Sequence, residues 1–184
     1  MKSRQIAIFA GLATLAIAGL ADAKLARVTT EAAKAHFHAS GPAGMGIEGN
    51  TTDVSVADDG TTLKVIVALG NITTGISLRD DHTRNKYLEV GKFPNATLSV
   101  PRASLKFPAD GGTTSGDVQG TMNIHGHDKA VTLHYAAAKK GASITIAGTT
   151  PLDITDFGIN VPSYLGVTVK KDITVDISFV ATDA

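Results

Sequence analysis

The sequence contains no cysteine and no tryptophan. Without thiols there are no disulfides, no thiol nucleophile, no thiolate-held zinc or iron–sulfur cluster, and no lipobox cysteine. Charge is scarce as well: 18% of the 184 residues are charged, and 17 basic side chains balance 17 acidic ones. That balance leaves no basic face for nucleic acid. Aromatics make up 5% of the chain, yet 43% of it is hydrophobic, which is enough apolar material for one globular core.

The apolar run Ile6 to Leu20 follows Lys2 and Arg4 and precedes Ala21-Asp22-Ala23, a small-x-small cleavage pattern. It is short for a membrane span, which needs about 20 residues. The expectation is a signal peptide at residues 1–23, cleaved before Lys24. Residues 24–184 would then form one domain in the periplasm or outside the cell, with no stable membrane span of its own.

After Lys24 the dominant period is two. Leu63, Val65, Val67 and Leu69 share a face, as do Val118, Met122 and Ile124, then Val131, Leu133 and Tyr135, then Ile144 and Ile146, and finally Ile173 to Phe179. Strict alternation marks strands with one face toward an apolar interior. Turn-forming clusters separate them: "ADDGTT" at 57–62, "PADGGTTSGD" at 108–117, "HGHDK" at 125–129 and "AKKGAS" at 138–143. Such spacing predicts an antiparallel sandwich or an up-and-down barrel.

One stretch breaks the rhythm. In "GISLRDDHTRNKYLEVGKFPNATL" (75–98), Ser77 and Asp80 have capping-box spacing, Gly91 suits a left-handed position after a helix, and Pro94 stops continuation. These signals predict one short, largely solvated helix at about 78–90.

Motifs that carry chemistry are few. "GMGIEG" (44–49) has the spacing of a dinucleotide fingerprint, but the alternating "NTTDVSV" after it offers no helix N-terminus for phosphate. A glycine-rich corner is the simpler reading. The pairs His36/His38 and His125/His127 have strand spacing for two metal ligands, yet no glutamate stands beside either in sequence. Arg79-Asp80-Asp81-His82 combines cation, acid and base without a serine elbow or second catalytic cluster. It reads as a helix start, with Arg79, Asp80 and His82 structural. No catalytic residue, metal or cofactor is expected.

Three stretches in order, the helix segment above, "GDVQGTMNIHGHDKAVTL" and "DFGINVPSYLGVTVKKDITVDISFVA", resemble the YceI-like family of exported polyisoprenoid-binding proteins. The chain departs from that pattern in lacking the tryptophan usual near the mature N-terminus. It also has Ile154-Thr155 where an arginine usually precedes Asp-Phe-Gly, and Lys24 to Ala43 matches poorly. The resemblance implies an all-β, lipocalin-like antiparallel barrel of about eight strands with a helix closing one end. It also implies an isoprenoid or lipid-like chain, a polyisoprenoid or a quinone tail, held inside.

An apolar binder needs no conspicuous motif, in keeping with the sparse chemistry. The expected ligand-binding residues are Val65, Val67, Leu98, Met122, Ile124, Leu133, Tyr135 and Phe157. They are the larger apolar members of alternating strands, with the aromatic of Asp-Phe-Gly. Two other readings stay open: a surface or stress-related interaction protein with a filled barrel, and a metal-assisted enzyme.

Overall fold

The computed structural model describes residues 25–183, with side chains described over 33–182. The expected signal peptide at 1–23 and its cleavage site lie outside the described residues.

Nine antiparallel strands form one continuous sheet. They are β1 (Leu25–Ser40), β2 (Gly46–Thr51), β3 (Val54–Asp58), β4 (Thr62–Ala68), β5 (Asn95–Pro101), β6 (Thr113–Ile124), β7 (His127–Lys140), β8 (Ser143–Asp153) and, after a two-stranded hairpin, β11 (Asp172–Asp183). The hairpin is β9 (Ser163–Tyr164) and β10 (Val167–Thr168). Their order across the sheet is β2-β1-β11-β8-β7-β6-β5-β4-β3. β2 and β3 are successive parts of one run, the first bonded to β1 and the second to β4. The two edges of the ladder therefore meet in the same stretch of chain, and the sheet curls into a nearly closed barrel. Closure removes the exposed edges that would otherwise template aggregation.

The alternating residues face where the period places them. Leu63, Val65, Leu98, Val100, Val118, Met122, Val131, Leu133, Ile144, Ile146 and Phe179 are all buried in one cluster. Tight turns join β3 to β4, β6 to β7 and β7 to β8, and the β6–β7 turn takes positive φ at both His125 (52°) and Gly126 (76°), the geometry that matches strand twist.

β1 is the element that periodicity missed. Its inward side chains Ala33, Ala35 and Ala39 are buried, and its outward ones include Lys34, His36 and His38. Small inward residues hide a period of two. "TTEAAKAHFHAS" reads on composition as neither strand nor clear helix, and pairing with β2 on one side and β11 on the other decides its state.

The helix also differs in detail. The helix α1 (Ser77–Asp81) passes directly into a π-helical turn over His82–Tyr87, with Leu88 at its end. Ile76 takes the cap position, with no side-chain capping bond. Ser77 therefore does not cap the helix. The left-handed residue beyond the helix is Glu89 (φ 44°), not Gly91. Glutamate is held there because its carboxylate receives Lys92 Nζ at 2.6 Å and His125 Nε2 at 2.8 Å.

Candidate functional site

The barrel is filled at one end and hollow at the other. At the filled end, Leu105, Phe107, Tyr135, Ile146 and Phe179 leave a void of about 30 Å3, the share of a single water molecule. Above a floor that includes Val65, Leu98, Leu133, Gly148 and Ile177, the interior opens into a cavity of about 570 Å3. That lies within the range of about 300–1,000 Å3 typical of small-molecule sites.

The small residues of β1 make this room. Ala35 and Ala39 line the cavity, and the Phe37 ring lies against Gly49 on β2. A Cβ at Gly49 would fall 2.0 Å from that ring. The last glycine of the motif is thus explained by close packing against Phe37.

Seven of the eight expected residues line this one cavity: Val65, Val67, Leu98, Met122, Ile124, Leu133 and Phe157. Tyr135 does not. It faces inward but lies below the floor, where its hydroxyl accepts from Lys106 N at 2.8 Å and donates to Lys106 O at 3.3 Å. Alternation assigns a face, not a height along the barrel axis, so it does not separate Tyr135 from the other seven.

The cavity wall is mainly apolar, and two of its polar side chains are bonded within the fold. Thr150 donates to Thr132 O at 3.0 Å. Arg79 donates through Nε to the Thr74 hydroxyl at 2.9 Å and through a terminal nitrogen to Thr74 O at 2.7 Å. No aspartate or glutamate lines the cavity. Such a wall can remove apolar surface from water.

Arg79 and Asp80 do act as fasteners. Asp80 is buried, and its carboxylate accepts from Thr74 N at 2.5 Å, the Thr74 hydroxyl at 2.5 Å and the Thr73 hydroxyl at 2.8 Å. Thr73 in turn exchanges backbone bonds with Asn50 on β2 at 2.8 and 2.9 Å. The start of the helix is thereby tied to the barrel wall. His82 does something else: it meets Tyr164 of the hairpin edge to face at 5.8 Å. Removing the guanidinium in Arg79→Ala is expected to lower the melting temperature, because the brace on Thr74 is lost. A variant melting with the wild type would contradict the assignment.

Three of the four paired histidines are held by carboxylates. His36 and His38 project from the outer face of β1, and Glu48, directly across on β2, receives one imidazole on each carboxylate oxygen. Sequence proximity had shown no glutamate, since the strand pairing that brings it close spans the β1–β2 turn. His36 also approaches Asp176 on β11 at 3.4 Å. His125 and His127 flank the β6–β7 turn, with His125 engaged by Glu89 and by Phe157 O at 3.3 Å. Among the described residues no group of three or more such side chains is arranged to hold a metal ion.

Four carboxylates around these elements are held below their ordinary range. The His38 bond does this to Glu48, the Thr74 hydroxyl to Asp80 and the Lys92 ammonium to Glu89. Lys171, with Thr155, lowers Asp153 from 3.8 to about 2. A lowered pKa in the fold contributes stability above the ordinary values and loses it as pH falls through the folded ones. Thermal melts should therefore fall progressively as the pH drops from about 4.5 toward about 2. Equal melting temperatures near neutrality and in that acid window would refute the shared direction.

A model of the YceI-like domain matches residues 23–181. No curated protein matches the sequence. Among solved structures, a polyisoprenoid-binding domain from Saccharophagus degradans, implicated in plant cell wall breakdown, superposes with a TM-score of 0.71 at 17% identity, covering 88% of this chain and 98% of its own. BcnA of Burkholderia cenocepacia gives 0.68 at 19% identity, covering 85% and 100%. The YceI protein of Campylobacter jejuni gives 0.55 at 20%, covering 74% and 84%. At such identities the likeness is one of fold, whereas the domain match spans nearly all of the described barrel. The chain belongs to the YceI-like family.

Proposed function

We propose that the protein is an exported binding protein that holds one slender apolar chain, of the isoprenoid or lipid class, in the open half of its barrel. The observation that carries this reading is the cavity itself: about 570 Å3, walled by aliphatic and aromatic side chains and lined by no carboxylate. Each buried methylene contributes about 0.8 kcal/mol, so a five-carbon unit contributes at most roughly 3–4. Association costs on the order of 4–15 kcal/mol, which a few buried units offset without a charged anchor. The polyisoprenoid-binding designation of the S. degradans domain supports the same ligand class. Export to the periplasm or beyond the cell rests on the expected signal peptide at 1–23. The reading assigns no catalytic step.

The test is mass spectrometry of organic extracts from the purified protein, followed by titration of stripped protein with isoprenoid alcohols. A chain recovered near one per protein, and taken up again after stripping, is the expected result. A protein that yields no such molecule and takes none up would overturn the proposal.

A further inference from the structure

Six large hydrophobic side chains are exposed among the described residues: Met45, Ile76, Leu78, Tyr164, Leu165 and Val167. All six border the mouth of the cavity. They come from three separate places, the turn between β1 and β2, the start of α1 and the β9–β10 hairpin. Exposed apolar residues scattered singly need no explanation, but a contiguous patch marks a contact surface.

Leu165 is the extreme case. It sits at the hairpin tip, 85% exposed, with φ at 48° and Gly166 following at 80°. A bulky residue in the left-handed region is strained where glycine or asparagine would be at ease. The fold gains no packing from it. A strained, solvated leucine at a tip points to a partner that the side chain enters. The hairpin is not loose: Tyr87 accepts from Ser163 N at 3.2 Å, and the Tyr164 ring leans on His82.

Cations stand at this rim. Arg79 and Lys170 line the cavity mouth, Lys86 stands 5.2 Å over the Tyr87 ring on the same wall, and no carboxylate is among the lining residues. Among the described residues none of these three cations has a carboxylate within ion-pair distance. In a chain with equal numbers of acidic and basic groups, a cavity lining that carries cations and no carboxylate favours an anionic partner.

We propose that this rim docks on the surface of a lipid bilayer carrying anionic headgroups. Leu165 and its apolar neighbours enter the acyl boundary, Tyr164 sits at the headgroup level, and Lys86 and Lys170 face the phosphates. The six apolar residues are continuous with the cavity wall, so a chain leaving the bilayer need not cross water. That last consequence rests on the binding function proposed above; docking does not.

The absence of tryptophan makes the test direct. Leu165→Trp places a single fluorophore at the tip, and Lys140→Trp places one at the exposed end of β7, next to the turn into β8 at the filled end. With vesicles of phosphatidylethanolamine and phosphatidylglycerol, the full chain carrying Leu165→Trp should emit at shorter wavelength and be quenched by brominated acyl chains. The Lys140→Trp chain should do neither. Added salt should weaken the response, and Leu165→Asp should lower vesicle affinity roughly tenfold or more.

If both tryptophans respond, or neither does, the rim is not the docking surface. A response at position 165 to a protein fraction and not to vesicles would assign the rim to a protein partner and overturn the proposal. Uptake of farnesol from solution by the unsubstituted chain, measured alongside, separates the two readings. Uptake without docking overturns docking alone, and docking without uptake overturns the cavity's role alone.

Discussion

Arg102→Met is expected to destabilise the barrel by about 3–5 kcal/mol. Arg102 is buried at the filled end, where its guanidinium pairs with Asp58 and lies 4.7 Å over the Phe107 ring. Both side chains are almost wholly removed from water, at 3% and 0% exposure. Methionine fills similar space but leaves the Asp58 carboxylate buried without its guanidinium, and a lone buried charge is far costlier than the pair is favourable. For a domain of this size the loss corresponds to a melting temperature lower by roughly 10 °C. The double variant Asp58→Leu/Arg102→Met should recover much of it, since no charge then stays behind. Denaturant titration checks both, and a single variant as stable as the wild type would refute the argument.

Met122→Trp is expected to abolish uptake of an isoprenoid chain while the domain stays folded. Met122 is buried, stands opposite Leu98 across the β5–β6 ladder and lines the cavity. The cavity has room beside it, so the indole enters empty space and not a packed core. The strain is then limited to the roughly 1–3 kcal/mol of an overpacked site. A chain of several units would lose its path past that level, together with about 0.8 kcal/mol for each methylene it no longer buries. The readouts are a cooperative melt and a titration with an isoprenoid alcohol. Retained uptake would place the chain elsewhere.

What the sequence disclosed follows from which interactions are local. β4, β6, β7, β8 and β11 were legible because large apolar residues alternate along them, and burial of one sheet face enforces that period. β1 was not, because alanines take its inward positions, and the same alanines leave the cavity open. Seven cavity residues could be named from facing alone. Tyr135 could not be excluded, since its depth depends on the bond to Lys106, 29 positions away.

Arg102 and Asp58 were invisible for a similar reason. One follows a proline at a strand end, the other sits in a run of turn residues, and 44 positions separate them. The helix ended where Glu89 is pinned by Lys92 and His125 and not at the glycine, because tertiary bonds outweighed local propensity. The exposed rim comes from a turn, the start of a helix and a hairpin too short to show a period, and only the assembled barrel shows that the residues meet.

The measurement that bears most directly on the central claim is a titration with isoprenoid alcohols of increasing length, at low and at high salt. At roughly 30 Å3 for each heavy atom, a cavity of about 570 Å3 takes on the order of twenty carbon atoms. Affinity should climb with every unit up to about four, then level off, and should be nearly the same at both salt concentrations. Affinity indifferent to chain length, or collapsing as salt is added, would mean that the contact is electrostatic and that the barrel interior is not the site.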